Sequence, residues 1–374
     1  MSTVVIIVSL IYTLILFWVL HGIIKLPFFF LKKENCKTSF SIIIPFRNEE
    51  KHLPTLLSTL TKINYDVTKF EVFFVDDEST DASVTIIKES LKDLKINFQI
   101  LANERYSNSP KKDAISLALK KANYEWIVTT DADCSVPKNW LKLLDGFIQK
   151  KDPKMVCMPV VFENNGSMIH QFQFFDGLSL QAVTLGGFGN KKPLLCNGAN
   201  LAYKKNTFFE VAGFIDNDDY ASGDDIFLME KIKKMYPKKI SFLKNADATV
   251  ITQCVESWEE VIQQRVRWAS KTKYLKNLTV NLLGGATFVS NLTFICCLLC
   301  CFIFPLKAGY FLFFIGLKLL LDTLILISEA LFLRQKMNLL YLFLSSFAYS
   351  FIVVWVVLQS LRGGYEWKGR TFKN

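Results

Sequence analysis

The sequence predicts an α/β domain with a mostly parallel, doubly wound sheet, held between an N-terminal membrane helix and a C-terminal membrane region. Three observations predict it. Hydrophobic residues make up 51% of the 374 residues, and the excess is gathered at the two ends, while residues 38–275 carry an ordinary polar and charged mixture. In that middle stretch short apolar runs alternate with helical ones, which is the pattern of strands joined by crossover helices. Two of the apolar runs end abruptly in acidic clusters.

Residues 4–24 (VVIIVSLIYTLILFWVLHGII) are long and apolar enough to cross a bilayer. They have no basic leading region and no small-residue cleavage site, so residues 1–31 read as a retained helix and not a cleaved signal. Lys32, Lys33 and Lys37 follow this helix, and no Lys or Arg precedes it. The positive-inside rule then places residues 38–275 in the cytoplasm of an integral membrane protein, expected in a bacterial inner membrane.

Ser41 to Pro45 is a short buried strand, and residues 51–62 a helix. Phe70 to Val75 is a second strand, ending in Asp76-Asp77-Glu78-Ser79, after which Thr80 or Asp81 can cap a helix. Asn97 to Leu101 is a third strand. Residues 110–122 (PKKDAISLALKKA) form an amphipathic helix with Pro in its first turn. Trp126 to Thr130 is a fourth strand, ending in Asp131-Ala132-Asp133.

Residues 282–361 are apolar, with breaks near Pro305-Leu306-Lys307 and Arg334-Gln335-Lys336, which gives segments at about 283–304, 308–333 and 338–361. Three full crossings would put the basic tail, 362–374, outside, although Arg362, Lys368, Arg370 and Lys373 favour the inside. Either the tail is external or one segment is re-entrant or interfacial, and the second is the expectation. Asp322 and Glu329 need a buried or watery face.

The formal net charge of +10 fits the positive-inside bias and attraction to anionic lipid. No zinc-finger, RNA-recognition or basic-helix pattern accompanies it, so no nucleic-acid partner is expected. Of nine cysteines, Cys296, Cys297, Cys300 and Cys301 lie in one apolar run and read as small membrane-helix residues. The others lack paired spacing, as in a reduced compartment. His21, His52 and His170 have no second His or Cys at metal spacing and read as packing or surface residues; Phe172, Phe174 and Phe175 read as core or an interface-facing helix, with a lipid-acceptor groove as the sharper alternative.

Ligands of open α/β sheets bind beyond the carboxyl ends of the strands, where Asp76-Asp77 and Asp131-Ala132-Asp133 fall. In an extended segment Asp131 and Asp133 share a face. Two hard oxygen ligands on one side suit Mg²⁺ or Mn²⁺, completed by phosphate oxygens and water. In Ser222-Gly223-Asp224-Asp225 the glycine allows a tight turn before two acids that open a helix. Gln264-Arg265-Val266-Arg267-Trp268 lies on a helix starting near Ser257, where Arg267 offers a bidentate phosphate donor and Trp268 a rigid apolar plate.

Taken in order, Ile44-Pro45-Phe46-Arg47-Asn48-Glu49-Glu50, Val75 to Ser79, Asp131-Ala132-Asp133, Asn197-Gly198-Ala199-Asn200, Gly223-Asp224-Asp225 and Gln264 to Trp268 resemble the family 2 inverting glycosyltransferases. The resemblance implies an α/β GT-A fold (Rossmann-like, mostly parallel sheet) over about Phe40 to Trp268. The membrane-bound subgroup with ceramide glucosyltransferases and polysaccharide synthases is the most similar, and Trp367-Lys368-Gly369-Arg370 resembles its cytoplasmic tail. Two departures stand out: Asp224-Asp225 replaces Glu-Asp, and Lys111-Lys112-Asp113 stands where many relatives have Gly-Lys.

The resemblance implies a role for each position. Pro45 to Glu49 shape a uridine pocket with Glu49 near the nucleoside; Asp76 or Asp77, with Asp77 favoured, contacts it. Lys112 approaches the donor. Asp131 and Asp133 hold the metal on the diphosphate, Asp133 more directly. Asn197 to Asn200 line the acceptor side or the sugar. Asp225, beside Asp224, is the general base, and Arg267, with Gln264 and Trp268 in the same element, stabilises the leaving diphosphate. The implied reaction moves a sugar from a nucleotide-diphosphate donor, UDP-linked on this resemblance, to a lipid or membrane-associated acceptor. Three short C-terminal segments favour single transfer over a processive synthase; a silent nucleotide-sugar-binding scaffold is the remaining alternative.

Overall fold

The computed structural model describes residues 2–31, 36–217, 220, 222–275, 277–367 and 370–372. Lys32, Lys33, Lys368, Gly369 and Lys373 lie outside the described residues. In chain order the elements begin with α1 (Ser2–Lys25), β1 (Phe40–Phe46), α2 (Leu53–Leu60), β2 (Phe70–Asp76), α3 (Ser83–Leu91), β3 (Asn97–Ala102), α4 (Pro110–Lys121), β4 (Trp126–Thr129) and β5 (Cys134–Ser135). Next come α5 (Trp140–Lys151), β6 (Met155–Cys157), β7 (Val160–Phe162), α6 (Met168–Gly189), β8 (Leu201–Lys204), α7 (Lys205–Glu210), α8 (Ile226–Met235), β9 (Ile240–Phe242) and β10 (Val250–Thr252). The chain closes with α9 (Trp258–Ser270), α10 (Leu278–Ile303), α11 (Ala308–Phe332), α12 (Leu339–Arg362), β11 (Tyr365–Trp367) and β12 (Arg370–Phe372). Two compact units result: a sheet unit, Pro27–Val161 with Leu195–Gln253, and a helical unit, Met1–Leu26 with Phe162–Leu194 and Cys254–Asn374.

The sheet unit is built on seven strands in the order β3-β2-β1-β4-β8-β6-β9. β1 pairs in parallel with both β2 and β4, and β2 with β3. β1, β2 and β4 are near-continuous apolar runs because both faces are covered: Ile42, Ile44, Phe74 and Val128 are fully buried in one core with Trp140 and Leu144 of α5. β8 runs antiparallel to β4 and β6. In the chain it is preceded by α6 and then by the Gly198–Asn200 turn. A small sheet, β5-β10-β7, completes the unit.

The expected elements recur with small shifts. The helix expected over 51–62 is confined to Leu53–Leu60, started by Pro54 in its first turn. Neither Thr80 nor Asp81 is the N-cap of α3; Ala82 is, and Asp81 accepts from the Ser83 N–H at 3.0 Å instead.

Among the described residues, the helical unit contains four helices that are long and apolar enough to cross a membrane, Thr3–Lys25, Leu278–Ile303, Pro305–Phe332 and Leu339–Leu361. α1 and α6 approach through glycines: a Cβ on Gly189 would stand 1.8 Å from the Gly22 carbonyl oxygen. Asn190 Nδ2 donates to the Trp18 carbonyl at 2.7 Å beside this contact. Phe172, Phe174 and Phe175 of α6 are buried, as a core assignment requires. Asp322 has the interior face that its charge demands: Lys318 Nζ is 2.7 Å away and the Tyr12 hydroxyl donates to its other oxygen. Glu329 is fully buried. β11 and β12 form an antiparallel hairpin whose backbone lies against α9.

Candidate active site

The loops that leave β1 and β2 are latched to each other at the carboxyl edge of the sheet. Asn48, at φ 52°, accepts from the Thr80 N–H at 2.8 Å, and its own N–H donates to Ser79 Oγ at 3.0 Å. Asn tolerates this left-handed backbone because its short polar side chain bonds locally. The Glu49 N–H donates to Ser83 Oγ at 2.8 Å, and Glu50 exchanges bonds with Asp81 and the Ala82 N–H. Pro45 stands in β1 opposite Val75. The Glu49 carboxylate is buried and lies 2.7 Å from His52 Nδ1, so His52 has a specific partner.

The two acids after β2 have different partners. Asp76 caps its own loop, accepting from the Ser79 N–H at 2.9 Å. Asp77 is buried and accepts from Asn103 Nδ2 and Arg105 Nε, each at 2.8 Å, with Arg47 Nη1 at 3.8 Å. Arg105 was not anticipated from the sequence; it lies in the 103–109 loop, which folds around the buried Asp113 through the Ser107 hydroxyl and the N–H groups of Tyr106 and Ser107.

Beyond β4 the Asp-x-Asp segment is a tight turn, closed by the Cys134 N–H donating to the Asp131 carbonyl at 3.2 Å. The alternation of an extended chain therefore does not apply at Asp131 and Asp133, because the turn reverses the backbone between them. The Asp133 carbonyl accepts from the Gln253 N–H, just past β10, at 3.0 Å. Burial, then the charges of Asp133 and Asp131, push the Cys134 thiol well above its usual range, which keeps it protonated.

Lys111 joins this turn to the second acidic pair. Its Nζ lies 2.6 Å from Asp131 Oδ1 and 3.3 Å from Asp224 Oδ2. Burial acts to lower its pKa, but Asp131 and then Asp224 outweigh burial and raise it, so the ammonium is held charged. Gly198 makes the approach possible: a Cβ there would sit 2.9 Å from Asp224 Oδ2. Its carbonyl accepts from Thr129 Oγ1 at 2.7 Å, which fastens the Gly198 turn to the end of β4. Its N–H donates to Asp225 Oδ2 at 3.2 Å, while Asp225 Oδ1 accepts from the Ile226 N–H at 2.7 Å as the N-cap of α8. Gly223, at φ 86°, supplies the turn that presents the pair.

Two expected positions lie elsewhere. Lys112 is 1% exposed and donates to the carbonyls of Asn217 and Tyr220 at 2.5 and 2.7 Å, with Phe227 against its charge. It holds Asn217 and Tyr220, while its neighbour Lys111 faces the acids, because successive helix residues point about 100° apart. Asn200 is fully buried and bonded to Trp140 Nε1 and to the carbonyls of Pro159 and Ala248, so it is scaffold and not a lining residue. Gln264, Arg267 and Trp268 lie on α9 of the helical unit, whose start is a capping box of Ser257 and Glu260.

Among the described residues no cluster of three or more His, Cys, Asp or Glu could hold a metal by itself. Asp131 and Asp133 are hard oxygen donors but too few to hold a divalent cation by themselves, and Asp131 already faces the Lys111 ammonium at 2.6 Å.

Residues 41–175 match Glycosyl transferase family 2, and residues 126–359 match Glycosyl transferase family group 2. The chain belongs to the family 2 glycosyltransferases. It is 36% identical over 137 residues to poly(ribitol-phosphate) beta-N-acetylglucosaminyltransferase TarS of Staphylococcus aureus (strain Mu50 / ATCC 700699), covering 36% of this chain and 23% of TarS. It is 22% identical over 254 residues to the probable glycosyltransferase YdaM of Bacillus subtilis (strain 168), covering 65% and 58%. The poly-beta-1,6-N-acetyl-D-glucosamine synthase of Staphylococcus aureus (strain COL) is 25% identical over 230 residues, covering 59% and 52%. The chain thus spans less than two thirds of the length of each of these relatives. Mannosyltransferase PcManGT from Pyrobaculum calidifontis, solved in complex with GDP-Man and Mn2+, shares the fold over 96% of both chains, with a TM-score of 0.54 at 16% identity.

Proposed function

We propose that this glycosyltransferase moves one sugar from a UDP-linked donor to a lipid acceptor in a metal-assisted, inverting displacement. The observation that carries the reading is the convergence of Asp131, Lys111, Asp224 and Asp225 on the Gly198 turn at the end of β4. Asp77 and Glu49 are assigned to the nucleoside end, on the latched loops. Asp131 and Asp133 are assigned to a Mg²⁺ or Mn²⁺ ion, whose positive charge would offset that of the diphosphate; a relative of this fold was solved with Mn2+. Lys111 adds a fixed positive charge beside the same acids. Asp225 is assigned as the base that takes the acceptor hydroxyl proton, its carboxylate fixed by the Gly198 and Ile226 N–H groups.

A lipid acceptor and a cytoplasmic sheet unit are supported by four helices of membrane-spanning length and by the N-terminal charge asymmetry. A tail on the same side as α9 is supported by the hairpin lying against that helix.

The test uses the full chain in detergent, a panel of nucleotide sugars and a membrane lipid extract, with nucleotide-diphosphate release and product mass read together. A single sugar on a lipid, lost with EDTA and restored by Mg²⁺ or Mn²⁺, is the expected result. Asp225→Asn is expected to lower kcat by about 10²–10⁴ with donor affinity retained. Near-normal turnover in Asp225→Asn with loss in Asp224→Asn would move the base to Asp224, and long polymers would replace single transfer by a processive synthesis.

A further inference from the structure

Arg265 was only the spacer of the Gln264 to Trp268 element, yet it is the residue that organises it. Its side chain is 8% exposed, and Nε donates to Asp176 Oδ2 of α6 at 2.5 Å, where the Asp176 side chain is 9% exposed. Nη1 donates to the Gln264 side-chain oxygen. The flat face of the guanidinium stacks on Trp268, 4.4 Å from Cζ to the ring centroid, and Phe162 stands 5.5 Å away. One side chain thus fixes both the first and the last residue of the element and anchors them to α6. Arg is suited to this because its planar fork bonds edgewise while its face stacks. The pair is nearly dehydrated, so neither charge tolerates loss of the other.

We propose that Arg265 and Asp176 are positioning residues: their buried ion pair sets the orientation of Gln264 and Trp268 on α9, and with them the rotation of α9 that presents Arg267. This rests on the transferase reading above. It adds a requirement for a carboxylate on α6, a helix that no motif marked.

The experiment uses the full chain in nanodiscs. Arg265→Ala and Asp176→Asn are each expected to lower kcat by about 100-fold, the scale of a misplaced reacting group, with KM for the nucleotide sugar changed by less than about threefold. Arg265→Lys keeps the charge but not the plate and is expected to behave like Arg265→Ala. Methylguanidinium is expected to restore turnover to Arg265→Ala, but not to the Asp176→Asn/Arg265→Ala double variant, which lacks the anchor. A second readout needs no turnover: the fluorescence component lost in Trp268→Phe should become more open to acrylamide in Arg265→Ala and be protected again by methylguanidinium. Normal kcat in Arg265→Ala, or a fall without rescue and without a change in quenching, overturns the proposal. If the unaltered chain turns over no donor, the transferase reading fails, and quenching still decides whether Arg265 sets Trp268.

Discussion

Replacing Lys111 by Met removes a side chain that bridges the two acidic motifs, with little change in volume. The ammonium lies 2.6 Å from Asp131 and 3.3 Å from Asp224, and the three side chains are 20%, 35% and 14% exposed. At an effective dielectric constant of about 20 these contacts are worth roughly 6 and 5 kcal/mol before dehydration. Partial exposure and the cost of drying an ammonium reduce the net contribution to about 1–3 kcal/mol. At about 2–4 °C per kcal/mol for a domain of this size, Lys111→Met should unfold about 2–12 °C lower. Thermal unfolding of the full chain in detergent measures this. The Lys111→Met/Asp131→Asn variant should lose less than the sum of the singles, because it strands one charge fewer. The pKa of Lys111 is raised, so its contribution is complete below the ordinary lysine value of 10.5 and is lost only as pH rises through the folded value. The gap between Lys111→Met and the parent should therefore be constant from about pH 6 to 9. An unchanged midpoint, with additive singles, would show that the bridge does not exist in solution.

Other substitutions separate the site from its scaffold. Gly198→Ala places a Cβ 2.9 Å from Asp224 Oδ2 and should depress turnover more than it depresses the unfolding midpoint, measured on the same preparation. Lys112→Met should destabilise the protein, by about 1–3 kcal/mol for the stranded carbonyls of Asn217 and Tyr220, and leave nucleotide affinity in calorimetry unchanged. Gly189→Leu cannot fit where a Cβ already meets the Gly22 carbonyl at 1.8 Å, so it should part α1 from α6 and lower the folded yield in gel filtration.

Much of the architecture is legible in the chain because it rests on local patterns. The strands at Phe40–Phe46, Phe70–Asp76 and Trp126–Thr129 are short apolar runs, the last two stopped by acids, and the helix at Pro110–Lys121 is opened by proline. Hydropathy alone marks four helices of membrane-spanning length. The acidic clusters are equally visible, since a ligand edge must follow the strand ends of a parallel sheet.

What stayed hidden depends on contacts between residues far apart in sequence. Nothing local says that Lys111 faces Asp131 and Asp224 while Lys112 turns inward; only the packing of α4 decides which of two adjacent lysines meets the acids. Arg105 reaches Asp77 across 28 residues, and Arg265 finds Asp176 across 89. The sequence by itself determined the strands, the membrane-length helices and the family motifs, because periodicity and turn chemistry act within a few residues. Only the tertiary structure decided which charges neutralise one another, because a buried charge must find its counter-charge wherever the fold brings one within reach.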